Sequence, residues 1–223
     1  LHEGRHIPFF ETQKYRFALQ MIVFSYRTLG NTSEGSYKEK GSKFMAFAYP
    51  VVSESEIKER LEALRKKYFD ARHHCFAYIL GADKTQYRSV DDGEPNHSAG
   101  DPILGQLRSR DLTNVLVVVV RYFGGVKLGV GGLISAYKAA AEDALNNAMI
   151  VVRDVTKAIA LNYPYASTPE VMRLVKEFEL TVGEQLFGDL CTMKISFKVK
   201  HENKLFDKID LLKATGHDLE IVV

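Results

Sequence analysis

Five of the 16 glycines in this 223-residue chain fall within ten positions, Phe123-Gly124-Gly125-Val126-Lys127-Leu128-Gly129-Val130-Gly131-Gly132. Arg121 and Tyr122 stand immediately before them. Glycine tolerates positive φ and lets a backbone approach a ligand closely. The segment follows an apolar run and precedes an Ala-rich stretch, so it opens a helix. Free N–H groups and a partial positive charge at a helix start favour anions. Arg121 and Lys127 add two cations with no carboxylate between them. Together Arg121, Tyr122, Gly124, Gly125, Lys127, Gly129, Gly131 and Gly132 read as a cradle for phosphate, another anion or a partner's acidic group, with Arg72 as a further cation and His73, His74, Asp91, Asp92 and Glu94 completing the ligand site. The segment is not a P-loop, because no Gly-Lys-Ser/Thr closes it, and it lacks Gly-x-Gly-x-x-Gly. The competing account is that the glycines make a tight crossover and let the helix pack close to a sheet.

Two further clusters carry titratable groups. Arg72-His73-His74-Cys75 enters a short apolar run. Neighbours on a strand point to opposite faces, so the two histidines do not converge on one metal. The expectation is one histidine in the core and one at the surface. Asp91-Asp92-Gly93-Glu94 places three carboxylates in four residues, which repel unless cations or N–H groups offset them. A turn with ion pairs to Arg72, Arg88 or Arg121 would do so. The alternative is an acid–base site, with Asp92 or Glu94 as base and Lys127 as electrostatic stabiliser. Asp-x-Asp spacing is missing, which excludes an EF-hand. Cys75 reads as buried and inert, and Cys191 has no histidine near it in sequence. The motifs call for no metal and no cofactor.

These residues need a frame. Residues 21–29 and 44–52 are rich in aromatic and β-branched side chains and read as strands. Residues 30–41 between them are polar and turn-like. Ser53 and Glu56 make a capping-box pattern ahead of Ile57, Leu61, Leu64 and Tyr68 at helical spacing. A strand over 75–80, a loop over 90–101 and a short helix near 103–107 follow. Residues 115–120 are continuously apolar, as in a central buried strand. An Ala-rich helix over 133–148 completes the first unit. The second begins near Arg153. It reads strand (155–161), helix from Thr168-Pro169, strands over 180–187 and 190–199 joined at Gly188-Asp189, helix to Gly216, and strand over 219–223. That order, β-α-β-β-α-β, is ferredoxin-like. Its lysines Lys194, Lys198 and Lys200 lack a stacking platform of aromatics and read as a solvated face.

Composition narrows the classes. Lys plus Arg total 30 and Asp plus Glu 28, a net charge of +2, so the chain is not a bulk polyanion binder. Residues 153–223 hold ten basic and eleven acidic side chains, and residues 21–152 seventeen and fifteen. At 46% hydrophobic residues the chain is not disordered, and no apolar run has the length of a membrane span. Two cysteines suit a reducing, cytoplasmic setting rather than a disulfide scaffold. The first Met is Met21, and residues 1–20 read as a vector-derived segment or one from an upstream start.

Three long motifs in order carry a resemblance. They are Asp70-Ala71-Arg72-His73-His74-Cys75; Asp91-Asp92-Gly93-Glu94-Pro95 with Ala99-Gly100 and Pro102-Ile103-Leu104; and residues 119–129 with Gly131-Gly132-Leu133 and Ala136-Tyr137. Lys40-Gly41-Ser42-Lys43-Phe44 adds a fourth. The set resembles the YigZ/IMPACT family over about residues 21–148, with the remainder similar to the C-terminal domain of its bacterial two-domain members. His97-Ser98 and Val130 depart from the family pattern. The resemblance implies an α+β fold: a two-layer N-terminal domain (21–152) with a left-handed β-α-β crossover, like a ribosomal-protein domain and elongation factor G domain IV. A ferredoxin-like domain (153–223) resembling elongation factor G domain V would follow it. It also implies a translation-associated regulatory protein that binds RNA, the ribosome or a translation-control protein, since eukaryotic relatives regulate translation through a protein partner. An enzyme acting on a small phosphorylated or metal-bound substrate at the same site is the alternative.

Overall fold

A computed structural model describes residues 23–222; the expectation for residues 1–20 lies outside them. Strand β1 (Ser25–Leu29) pairs antiparallel with β7 (Ile150–Asp154). The main N-terminal sheet contains β2 (Ser33–Glu39), β3 (Ser42–Pro50), β4 (His73–Leu80), β5 (Gln86–Val90) and β6 (Val115–Tyr122), in the order β2-β3-β6-β4-β5. All its neighbouring pairs are antiparallel. Strands β3 and β4 therefore run parallel on either side of β6, and helix α1 (Glu54–Lys67) crosses between them. Helices α2 (Gly100–Ser109) and α3 (Gly129–Asn146) complete the unit.

The continuous apolar run does form the central strand β6. Val115, Val117 and Val119 join the core under α2 and α3. Leu116, Val118 and Val120 join Ile57, Leu61 and Leu64 of α1 on the other face. The α+β class holds, but the expected two layers are three, helix–sheet–helices. Both sheet faces are apolar, and each buried Val or Leu contributes about 1.5–3 kcal/mol only if a helix covers it. Ser53 Oγ accepts the Glu56 N–H at 3.3 Å, while the Glu56 carboxylate accepts from the Val52 N–H at 2.9 Å. The capping box thus closes one residue early.

One strand contradicts the polar-loop reading: residues 30–41 hold β2. Strand β5, ahead of the acidic loop, has no counterpart in the sequence reading. The core of the C-terminal unit covers only one face of its sheet. Strands β8 (Thr156–Pro164), β9 (Thr181–Leu186), β10 (Leu190–Lys198) and β11 (Glu220–Val222) pair in the order β11-β8-β10-β9. With α4 (Thr168–Glu177) and α5 (Glu202–Ala214) this is the expected β-α-β-β-α-β arrangement. The N-cap of α4 is Ser167 rather than Thr168, with Pro169 in the first turn.

The changeover between sheets falls at Val155, the single residue separating β7 from β8. The Val155 N–H donates to the Phe24 carbonyl at 2.8 Å, and its carbonyl accepts from the Val199 N–H at 2.8 Å. Asp154 beside it holds Lys200 at 3.0 Å and Lys198 at 3.5 Å. Among the described residues no helix is long and apolar enough to cross a membrane.

Candidate functional site

Sheet register brings the three sequence clusters to one end of the N-terminal domain. Arg121 on β6 sits opposite Phe44 on β3 and His73 on β4. One rung therefore carries an arginine, an aromatic and a histidine, all on the face covered by α2 and α3. The Gly41 turn, the acidic loop and the glycine segment close around that rung. Gly41 meets Gly124, and Gly93 lies beside the His73 ring.

The three carboxylates of the acidic loop do not converge. Asp91 Oδ1 accepts the Ala99 and Gly100 N–H groups at 2.9 and 2.8 Å, and Oδ2 accepts the His97 N–H at 2.8 Å. It thereby neutralises the start of α2. Asp92 accepts the His74 N–H at 2.7 Å and faces Arg65 at 3.7 Å. Its carbonyl lies 2.9 Å from His73 Nδ1. Glu94 turns inward: its Oε1 is 2.6 Å from Arg121 Nη1 and 2.8 Å from the Tyr137 hydroxyl. Cys75 Sγ lies 3.3 Å from that hydroxyl and 2.9 Å from the Asp91 carbonyl, one S–H between two acceptors. Burial pushes both the Cys75 thiol and the Tyr137 phenol up, so each keeps its proton. A protonated thiol is not a nucleophile.

The two histidines diverge as strand geometry requires. His73 is half-buried at the rim, while His74 is buried on the α1 face with Nε2 unpartnered. Burial holds the His74 imidazolium pKa down, against the pull of Asp92, and Arg65 adds to the depression. Arg72 is exposed. Arg121 is the main departure from the sequence reading, because it is only 6% exposed and its charge is committed to Glu94. Its guanidinium is sandwiched at 5.4 Å from the Phe44 ring and 5.7 Å from the Phe123 ring. Of the two cations expected to flank the cradle, Lys127 alone is at the surface.

Tyr122 points to the α1 side and donates to Asp70 Oδ1 at 2.6 Å. That carboxylate holds the phenol proton and pushes its pKa from 10.0 up to about 12. The folded chain keeps the proton where the unfolded chain loses it. The contribution to stability is complete below pH 10.0 and is lost as pH rises towards about 12. The urea midpoints of wild type and Tyr122→Phe are expected to differ at neutral pH and to draw together through that alkaline window. A constant gap would refute the assignment.

The glycines divide into two groups. A Cβ on Gly124 would lie 1.9 Å from the Gly41 carbonyl carbon, and one on Gly132 would lie 3.0 Å from Leu128 Cβ. These two serve internal packing. Among the described residues, Gly125, Gly129 and Gly131 have no atom beyond their own local backbone within 4 Å of the position a Cβ would take. Gly125 and Gly129 have φ of +87° and +71°, which explains their type. Gly131 has neither positive φ nor a close neighbour. Gly131→Ala should therefore stabilise the chain by about 0.5–1 kcal/mol, read as a higher urea midpoint. A lower midpoint would reveal a packing role not visible in these contacts.

Helix α3 begins at Gly129 rather than near 133, so Gly129 and Gly131 lie in its first turn and Gly125 in the loop before it. No N-cap side chain bonds its first turn and no acid lies there, whereas the start of α2 is held by Asp91 and carries Asp101. Sequence reasoning missed the apolar side chains here. Phe123, Val126, Val130 and Ile134 are 56%, 51%, 52% and 39% exposed. Their spacing on α3 was visible, but an apolar residue at helical spacing ordinarily signals core. The arrangement is suited to docking: an exposed aromatic fixed on a buried arginine, bare backbone, apolar side chains and a lysine. It lacks a free base beside a nucleophile.

Known proteins resemble this chain across the region that carries these clusters. The Impact N-terminal domain family model matches residues 40–145, which include every cluster described above. The IMPACT family member YvyE of Bacillus subtilis is 32% identical over 182 residues, covering 82% of this chain and 84% of that protein. The IMPACT family member YigZ of Escherichia coli is 41% identical over 108 residues, covering 48% of this chain and 53% of that protein. A crystal structure of a hypothetical protein superposes with a TM-score of 0.72 at 25% identity, covering 91% of this chain and 98% of that one. From the ordered motifs at the sheet end to a relative aligned across both domains, the chain belongs to the IMPACT family.

Proposed function

We propose that this protein is a translation-associated regulator that acts by binding rather than by catalysis, and that its binding surface is the glycine-rich rim of residues 123–134. The translation-associated role comes from the family, whose eukaryotic members regulate translation through a protein partner. One observation carries the choice of surface. Gly125, Gly129 and Gly131 face open space, and at Gly131 neither packing nor a positive φ accounts for the bare backbone. The ligand is RNA, the ribosome or a protein of the translation-control apparatus, met in the cytoplasm. The enzyme alternative has less support, because Asp91, Asp92 and Glu94 are each committed to separate structural partners.

Co-purification from cells at low salt, with both RNA and protein identified, tests the reading. The wild-type chain is compared with Val126→Glu/Val130→Glu. Val130 lies in the first turn of α3, where an acid favours the helix by about 0.3–1 kcal/mol, and Val126 is exposed in the loop before it, so the fold is expected to survive. Loss of a specific co-purifying species supports the reading. Recovery of the same species at the same yield overturns it.

A further inference from the structure

We infer that the outer face of α3 and the loop before it dock an acidic, amphipathic segment of a partner protein, with its apolar side chains on Phe123, Val130 and Ile134 and its carboxylates on Lys127 and Lys138. The inference rests on the rim reading above and names the chemistry of its ligand. Val130, Ile134 and Lys138 follow at four-residue steps and share one helix face. All three are exposed, as is Lys127. Exposed apolar residues in such a run mark an interaction site more often than chance scatter.

Charge complementarity selects the partner. Residues 112–141 contain no Asp or Glu, while Arg121, Lys127 and Lys138 are basic. Arg121 is neutralised internally by Glu94. What remains at the surface over this stretch is two lysines beside apolar side chains and the positive end of α3; Glu142, one turn beyond Lys138, faces Arg110 at 3.5 Å. A partner presenting carboxylates gains there, and a basic one is repelled. RNA fits less well. Tight phosphate binding draws on many cations, and single-stranded binding on several stacking faces. This face offers two lysines and the single aromatic Phe123. An interface centred on a fixed aromatic and aliphatic side chains is a protein-recognition pattern.

The test places a photo-crosslinker in the face of the full-length chain, Ile134→p-benzoylphenylalanine, and irradiates cells. The expected adduct is a protein, and its cross-linked segment carries net negative charge with apolar residues between the acids. Lys127→Glu/Lys138→Glu is expected to reduce the adduct about tenfold or more. An RNA adduct, a basic or neutral cross-linked segment, an unchanged yield in the lysine variant, or no adduct overturns the inference. The two claims fail separately. If Val126→Glu/Val130→Glu loses its co-purifying species while the cross-linked segment is not acidic, the rim reading stands and this inference falls.

Discussion

Glu94→Ala is expected to destabilise the N-terminal domain by about 3–5 kcal/mol, because it leaves the Arg121 guanidinium buried without its counter-charge. Glu94 Oε1 holds both Arg121 and the Tyr137 hydroxyl, and the two side chains of the ion pair are 7% and 4% exposed. Water cannot replace the lost carboxylate at such a site without opening the rim. A total stability of about 5–15 kcal/mol is ordinary for a folded chain, so the loss is a large share. Chemical denaturation measures it directly. The double variant Glu94→Gln/Arg121→Met removes both charges and should recover most of the loss, since replacing a buried pair by neutral groups is often close to neutral. A cost below about 1 kcal/mol for Glu94→Ala, the range of exposed pairs, would show that the pair is solvated.

Gly124→Ala is expected to be the most damaging of the glycine substitutions. Its Cβ would fall 1.9 Å from the Gly41 carbonyl carbon and 2.1 Å from the Ser42 nitrogen. Both are backbone atoms, and Gly41 is itself fixed at φ +79°. The turn between β2 and β3 must therefore move away from the end of β6. That movement breaks the bond from the Gly124 N–H to Ser42 Oγ at 3.1 Å and disturbs the Phe44–Arg121–His73 rung. Overpacking costs about 1–3 kcal/mol where side chains can yield, and backbone yields less readily. The thermal midpoint should fall by at least about 4 °C. Gly131→Ala, seven residues on, is expected to move it the other way. Equal midpoints for the two variants would overturn the division of the glycines into packed and open groups.

That division could not be read from the sequence. A glycine's type records that a Cβ is unwelcome, but its neighbours come from β2–β3 for Gly124 and from solvent for Gly131. The acidic loop is similar. Its three carboxylates were visible as a cluster, yet Asp91 finds its partners on α2, Asp92 on β4 and Glu94 beneath α3. The central strand β6 was legible because both its faces are buried, which leaves its first six residues, Val115 to Val120, continuously apolar. Strand β2 was not legible. It is an edge strand covered by α3 on one face, and Glu34, Ser36 and Lys38 point to solvent, so its composition resembles a loop. The diverging histidines followed from strand geometry alone. The burial of Arg121 did not, because an arginine beside glycines in sequence looks equally like a free anion ligand.

The junction at Val155 has a mechanical consequence. With its N–H tied to Phe24 and its carbonyl to Val199, the one residue between the two sheets has no free amide about which to swivel. Asp154 pins the same point through Lys198 and Lys200. The crossing between the two sheets is thus tied by hydrogen bonds and ion pairs on both sides rather than left as a free linker, and a short glycine insert at Val155 would break those ties while leaving each sheet's own strand pairing intact.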